Sequence, residues 1–205
     1  MSKTTIPTGG ITADAINATL IADDAINSEH YTDGSIDTAH VADSQITAAK
    51  TSGVGGLSVA RQFRVTSEFT GDASPIASNW EEADTDGYGG VGTVNQSSGI
   101  FSFGATGIYF IEFRLLHQFD QADSYTNIII QSTTNNSDYG TAAITNIGLD
   151  SSHHHFGTAS FIFDVTNVST HKVRFTISGT HSSNSTKGNT GENNTAVTFL
   201  KLAET

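Results

Sequence analysis

The 205-residue chain contains no cysteine and only two prolines, one methionine and one tryptophan. The absence of cysteine excludes disulfides, thiolate catalysis and cysteine-ligated zinc. No stretch approaches the roughly 18 apolar residues of a membrane-spanning helix, and the first ten residues, MSKTTIPTGG, lack the apolar centre of a signal peptide. The sequence therefore predicts a protein that is neither inserted in a membrane nor conventionally secreted.

Basic side chains are also scarce: nine Lys and Arg stand against 21 Asp and Glu, which gives a formal net charge of −12. Such a surface repels polyanions, so we expect neither nucleic acid nor an anionic membrane as a partner. Apolar residues make up only 36% of the chain, whereas Gly, Ser, Thr, Asn and Asp are abundant. These residues disfavour helices and favour turns, which indicates a β-rich fold with many loops.

Residues 1–50 carry single large apolar side chains at a fixed spacing of five. Helices repeat near 3.6 and strands near 2, so neither explains this spacing. Because one large apolar residue in five cannot build a core within one chain, burial requires a partner or further copies. The simplest arrangement is a thin stalk in which three parallel copies place the column on a threefold axis. The predicted stalk residues are Ile6, Ile11, Ile16, Ile21, Ile26, Tyr31, Ile36, Val41 and Ile46.

Two other interpretations of residues 1–50 remain open. The composition is also typical of a disordered acidic tail that is rich in Ala, Asp and Thr. A single-chain pentapeptide β-helix likewise places a large apolar residue at the centre of each pentad. Nine pentads would supply barely two coils of such a helix, and the residues beside each apolar position depart from its usual order. The trimeric stalk is therefore the preferred interpretation.

After a Gly- and Ser-rich hinge at residues 51–60, the apolar spacing changes to two, the period of a β-strand. We predict an all-β head over residues 61–205, a sandwich or jelly roll of about ten antiparallel strands. The predicted strands are residues 63–69, 76–80, 91–94, 100–103, 108–117, 125–131, 142–149, 159–165, 172–178 and 196–202. The predicted residues of the head core or of its trimer interface are Tyr109, Ile111, Phe113 and Phe199.

Three segments of the head resemble C1q-like domains. In GIFSFGATGIYFIEFRLLH (99–117), Gly99 with Phe101 and Gly107 with Tyr109 match the family's two signature strands. FIFDVTNVSTHKVRFTIS (161–178) resembles its pair of strands joined by a tight turn, and NNTAVTFLKL (193–202) resembles its closing strand. The resemblance implies a ten-strand C1q/TNF-like jelly roll that assembles as a homotrimer. It also implies that the first and last strands are neighbours, which would place Thr205 near the end of the head that joins the stalk.

The repeat ITADAINATLIADDAIN is similar to the Asp/Ala/Ile-rich repeats in fibre and appendage proteins of tailed bacteriophages. The resemblance implies a structural virion protein that is made in the host cytoplasm without a signal peptide. Residues 1–50 would dock on other virion proteins, and the head would bind a glycan or protein of the host surface. Two alternatives remain: a capsid-decorating or cementing protein without a receptor, and a depolymerase that cleaves surface glycans.

We predict no catalytic residue, no cofactor and no resident metal. The chain has no Gly-x-Ser-x-Gly elbow, and Glu81 and Glu82 would point to opposite faces of a strand. His153 and His155 would share one face of an extended segment and would bind a transition metal if three chains brought them to an axis. Residues 120–124 and 135–138 contain oxygen ligands suited to calcium, although such stretches usually form turns.

Four aromatic residues are candidates for stacking on a sugar ring: Trp80, Tyr88, Tyr125 and Tyr139. An aromatic ring covers the apolar face of a pyranose, while neighbouring Asn and Asp side chains bind its hydroxyls. Trp80 fits the hydrophobic core equally well. The sequence alone does not select the exposed members of this set.

Overall fold

A computed structural model describes residues 57–121, 125–148 and 153–205, together with residues 9–10, 36, 41 and 45–46. The chain divides into two units, residues 1–54 and residues 55–205. Nearly all the described residues belong to the second unit, which contains the predicted head. No helix in the described part of the chain is long and apolar enough to cross a membrane.

The described part of the head contains twelve strands and no helix. Glycine, asparagine, aspartate and serine occupy most of the turns between them, as the composition predicted. The strands are β1 Ala60–Val65, β2 Phe69–Thr70, β3 Trp80–Glu82, β4 Val94–Ser97, β5 Ile100–Phe103, β6 Gly107–Phe119, β7 Thr126–Thr133, β8 Gly140–Ile147, β9 His153–Val165, β10 Lys172–Ser178, β11 Ser185–Thr186 and β12 Ala196–Ala203.

These strands form two antiparallel sheets. The first sheet has the order β2-β11-β6-β12-β1-β3, and β9 pairs with the opposite edge of β6. The second sheet has the order β4-β5-β10-β7-β8. The hydrophobic core contains side chains from both sheets. The arrangement confirms the prediction of an all-β antiparallel fold.

The alternation of side chains along each strand decides which of them are buried. On β6, Tyr109, Ile111 and Phe113 are fully buried, whereas Glu112 is half-buried and Arg114 is exposed. Phe199 on β12 is also fully buried. The four residues predicted for the core or the trimer interface therefore lie in the core of one protomer. A partner chain would have to contact the side chains that alternate with them.

The predicted strand bounds agree best where the alternation is regular. Strands β5 and β10 have the predicted bounds, and β6 extends the prediction by one residue at its start and two at its end. Strand β3 covers residues 80–82 instead of 76–80, and β9 begins at His153 instead of residue 159. Strands β2 and β11 escape prediction because two residues are too few to show a period.

The last strand ends beside the start of the first one. Leu200 is paired with Ala60, and the backbone N–H of Lys201 donates to the carbonyl oxygen of Val59 at 2.9 Å. Val59 is buried, so the head core begins just before β1. As predicted from the family resemblance, the C-terminal strand thus closes the fold next to the point where the chain enters the head.

The turn between β4 and β5 requires a glycine. Gly99 has a φ of +77°, and a Cβ atom there would overlap the carbonyl oxygen of Ile76. We expect Gly99→Ala to lower the free energy of unfolding by about 2–3 kcal/mol, measured by urea denaturation. The control is Gly89→Ala, whose Cβ would meet no atom within 4 Å, and we expect it to change stability by less than about 0.5 kcal/mol. Equal midpoints for the two variants would contradict this account.

Candidate functional site

An apolar row crosses the outward face of the first sheet. The strand register places Leu200 of β12 opposite Phe110 of β6, and Phe110 opposite Ile162 of β9. Phe110 and Leu200 are half-buried, and the side chain of Ile162 is 52% exposed. These three residues, called the apolar row below, alternate with the core residues of the same strands. The outward face therefore carries large apolar side chains in register across three strands.

A polar cleft of about 570 Å³ lies on the same sheet, four residues further along β6 than Phe110. Its floor includes Gln62 and Arg64 from β1 and Arg114 from β6, and the register aligns both arginines with Ala196. Ala83 and two loop segments, residues 85–88 and residues 191–194, complete the lining. We call this feature the arginine cleft.

Arg64 holds one wall of the arginine cleft in place. Its side chain is only 2% exposed, and its guanidinium donates to Glu81 at 2.7 Å, to Asp84 at 2.6 Å and to the hydroxyl of Thr85 at 3.0 Å. A buried cation is tolerated only when it is paired and hydrogen-bonded. The charge of Arg64 is therefore neutralised, and its role is to fasten residues 84–85 to the sheet.

Tyr88 fixes the same wall at a second point. Its hydroxyl accepts the backbone N–H of Gln62 at 3.0 Å and donates to a carboxylate oxygen of Glu82 at 3.2 Å. Glu82 is in turn paired with Arg61. Burial raises the pKa of Tyr88 above its ordinary value, so the hydroxyl keeps its proton at neutral pH. The wall of the cleft is thus held by two independent networks.

Arg114 differs from Arg64 in that its charge is not neutralised. Its side chain is exposed, and no carboxylate of the described residues lies within ion-pair distance of it. Its guanidinium instead lies over the ring of Phe156, 5.1 Å from the ring centroid. Arg114 therefore supplies the cleft with an accessible positive charge beside an exposed aromatic ring.

Hydrogen-bond acceptors line the cleft as well. Asn193 donates through its side-chain nitrogen to Gln62 at 3.1 Å, while its side-chain oxygen is buried without a partner among the described residues. Asp86 and Glu192 add two exposed carboxylates. The cleft thus combines the exposed guanidinium of Arg114 with the exposed carboxylates of Asp86 and Glu192.

No protein-family model matches the chain, and no curated protein sequence matches it significantly. Solved structures do match. Murine APRIL, in a crystal structure at pH 5.0, matches with a TM-score of 0.51 and 13% identity over 70% of this chain and 98% of that chain. Eiger TNF from S. frugiperda matches with a TM-score of 0.50 and 13% identity over 73% of this chain and 96% of that chain. The head has a TNF-like jelly-roll fold. At this identity the similarity shows the fold alone, and it confirms the predicted fold class.

The TNF-like head brings one of the four predicted sugar-stacking aromatics, Tyr88, into the arginine cleft. Trp80 packs in the core, 5.3 Å from the ring of Phe101, and its indole N–H donates to the carbonyl of Ile76. Arg174 covers one face of the Tyr139 ring at 4.1 Å. Tyr125 is 50% exposed and is not among the residues that line the cleft.

Sequence reasoning missed the two arginines of the cleft as site residues. In the sequence they are polar residues that alternate with apolar residues along a strand, which is the usual pattern for the solvent-exposed face of a sheet. A useful signal was present, since basic residues are scarce in this chain. Two arginines on outward strand positions of the same sheet are therefore unusual here. Their proximity depends on the pairing of β1 with β12 and of β12 with β6, which the sequence does not specify.

The segments weighed as possible metal sites make contacts within the head where they are described. His155 packs against Phe119 with ring centroids 5.2 Å apart. The side-chain oxygen of Asn135 accepts the backbone N–H groups of Ser137 and Asp138 at 3.0 and 2.9 Å, so it closes a turn. Within the described ranges, no three His, Asp or Glu side chains are placed to hold a metal ion. Residues 122–124 lie outside the described residues.

The predicted stalk is described at three positions. Ile36 is 51% exposed and Ile46 is 60% exposed, while Val41 is half-buried. The trimeric stalk therefore stays a prediction. The other predicted stalk residues, Ile6, Ile11, Ile16, Ile21, Ile26 and Tyr31, lie outside the described residues.

Proposed function

We propose that the protein is a homotrimeric fibre or spike of a tailed bacteriophage and that its TNF-like head binds the host surface. Residues 1–50 would form the stalk and dock on other virion proteins. The observation that carries the proposal is an unbroken column of apolar residues at a spacing of five in front of a TNF-like head. Because a single chain cannot bury that column, the column favours a protein that works as an assembly.

The apolar row supplies a surface on which the heads would associate. Phe110, Ile162 and Leu200 lie in register, and the exposed Leu202 follows on the same strand as Leu200. Contiguous apolar side chains on an outward sheet face mark an interaction surface when no other element of the chain covers them. A homotrimer is the assembly that the C1q-like segments of the sequence imply. We therefore assign the apolar row to the contact between copies.

Binding through a trimer explains how shallow surfaces can hold a virion on a cell. Three weak sites on one rigid assembly bind with much higher avidity than one site, because the second and third contacts form at a high effective concentration. No catalytic step, cofactor or nucleic acid enters this mechanism. The formal net charge of −12 also disfavours contact with the phosphates of nucleic acid.

The first test is the mass of the full chain in solution. We expect three times 21.6 kDa, or about 65 kDa, by light scattering coupled to gel filtration. A monomer at micromolar concentration would contradict both the stalk and the trimeric head.

The second test separates adhesion from capsid decoration. We expect virions that lack the protein to keep their DNA-filled capsids and to lose adsorption to host cells, and the purified trimer should compete with intact virions for those cells. Normal adsorption combined with fragile capsids would instead favour a decorating protein. Release of reducing sugars from host polysaccharide by the purified trimer would favour a depolymerase.

A further inference from the structure

We propose that β1 is a mechanical clamp that makes the head resist tension much better along one direction than along another. Tension that enters through residues 1–56 and leaves through the opposite end of the head loads the hydrogen bonds of β1 together. Tension between the two chain termini loads them one after another. The inference rests on the proposed function for its use, because a fibre held between a virion and a cell is pulled along the first direction.

Strand β1 is the first of the twelve strands, and it has hydrogen-bonded neighbours on both sides. On one side it pairs with β12 from Ala60 to Arg64. On the other side it pairs with β3 from Phe63 to Val65. Beyond the end of β3, Ala60 also exchanges two backbone hydrogen bonds with Val91, at 2.9 and 3.0 Å. The strand therefore cannot slide lengthwise without breaking bonds on both of its sides.

The start of β1 and the turn that contains Ser182 lie at opposite ends of the head. β1 and β6 run in the same direction, because β12 lies between them and is antiparallel to both. β6 ends at Phe119. The side-chain oxygen of Asn184 accepts the backbone N–H groups of Asp120 and Gln121, both at 2.8 Å, which places this turn beyond the end of β6. Tension between the start of β1 and Ser182 therefore pulls β1 lengthwise past its neighbours.

The two directions load the bonds of β1 differently. The bonds of an antiparallel pair are perpendicular to its strands, so lengthwise tension shears them and they share the force. Both chain termini lie at one end of the β1–β12 pair, where Leu200 is opposite Ala60. The backbone N–H of Lys201 also donates to the carbonyl oxygen of Val59 there, at 2.9 Å. Tension between the termini therefore opens the pair from that end, one bond at a time.

Side chains on the core side of β1 reinforce the clamp. Phe63 is 5% exposed and Val65 is fully buried, so lengthwise movement would drag both through the packed core. Arg61 is on the same side of the strand, where it pairs with Glu82 of β3 and donates through Nε to the carbonyl oxygen of Gly92 at 2.9 Å. Hydrogen bonds of an ionised donor are stronger than neutral ones. Arg61 therefore ties β1 to the side of the sheet that opposes β12.

The experiment stretches the full-length protein by single-molecule force spectroscopy, from its N-terminus to one introduced cysteine. Because the chain contains no cysteine, each substitution supplies one thiol per chain. Ser182→Cys applies tension along the first direction and Thr205→Cys applies it between the termini, and both residues are exposed. Unfolding of the head should lengthen the tether by roughly 400 Å in the first geometry and roughly 500 Å in the second, which identifies the event.

At a common force, we expect the head to unfold at least about tenfold more slowly in the Ser182→Cys geometry, since several bonds instead of one resist each step. Adding Arg61→Gln should raise the unfolding rate about tenfold in this geometry, because it removes the charged contacts with β3 and Gly92. Between the termini it should change the rate less than about threefold, because that direction opens the β1–β12 pair first.

The matched control is Arg174→Gln, since Arg174 lies in the second sheet over the ring of Tyr139. It should unfold as the wild type does in both geometries. Unchanged circular dichroism and solution mass would show that each variant is folded.

Three results would overturn the inference: equal or reversed unfolding rates in the two geometries, equal acceleration by Arg61→Gln in both geometries, and equal acceleration by Arg61→Gln and Arg174→Gln. If the protein mediates host adsorption but is equally strong in both directions, the proposed function stands and the clamp does not exist. If the predicted difference in strength is found but the protein adheres to no host cell, the clamp stands and the proposed function fails.

Discussion

Replacing Ile162 with Asp is expected to convert the proposed homotrimer into folded monomers. Ile162 is 52% exposed on β9 and pairs with Phe110, which pairs with Leu200. In an isolated protomer an aspartate at this position would be solvated and would not destabilise the fold. In the proposed assembly it would bury three symmetry-related carboxylates against apolar side chains. An uncompensated buried charge costs about 3–5 kcal/mol, so the association constant should fall by more than about a hundredfold per contact.

The measurement is light scattering over a range of protein concentrations, with circular dichroism to confirm that the β-fold is intact. Val168→Asp is the matched control, because Val168 is an exposed apolar residue in the turn between β9 and β10, away from the apolar row. This control should remain a trimer. A trimeric Ile162→Asp variant with an unchanged dissociation constant would exclude the apolar row from the subunit contact.

Much of the head fold follows from local sequence because the alternation of apolar and polar residues records the two faces of each strand. On β6, the residues predicted for one face, including Tyr109 and Phe113, are all buried, and Arg114 on the other face is exposed. The same alternation gives β10 its observed bounds. Irregular segments show no such alternation. The conformation of the loop before β3 and the positions of the two-residue strands β2 and β11 therefore depend on pairing with strands distant in sequence.

The sequence could not distinguish the core from a subunit interface, because both bury apolar side chains. Phe199 and Tyr109 are equally compatible with either role until the second sheet is placed over them. The packing shows that they face the second sheet, and Phe110 and Leu200 are then left on the outward face. A large apolar residue at a position that alternates with core residues was the available signal, and β6 and β12 each contain more than one.

The candidate site was harder to predict than the fold because it joins residues that are distant in sequence. Arg64 and Arg114 are aligned through Ala196, which belongs to a third strand. Tyr88 was recognised as a candidate for sugar stacking, but its hydroxyl is bonded to Gln62 and Glu82 and its main effect is to hold the wall of the cleft. Residue type alone therefore identified Tyr88 as a candidate for sugar binding. It did not identify Arg114 as the arginine whose charge is accessible.

The second large expected effect is a loss of stability when the aromatic centre of the core is disrupted. The ring of Phe101 on β5 lies 5.1–5.4 Å from those of Phe63, Trp80, Phe175 and Phe199. Phe63, Trp80 and Phe199 belong to the first sheet, whereas Phe101 and Phe175 belong to the second, so the cluster joins the two sheets. Phe101 is fully buried. Its removal would therefore leave a cavity bordered by residues of both sheets.

We expect Phe101→Ala to lower the free energy of unfolding by about 4–5 kcal/mol, since the lost burial and the cavity add to the lost ring contacts. A domain of this size has a stability of about 5–15 kcal/mol, so the variant should unfold at much lower urea concentration. The measurement is urea denaturation at one fixed protein concentration, because the proposed association would couple stability to concentration. Phe156→Ala is the control, since its ring is 55% exposed, and it should cost less than about 1 kcal/mol. Similar losses for the two variants would show that the contact between the sheets does not depend on the aromatic cluster.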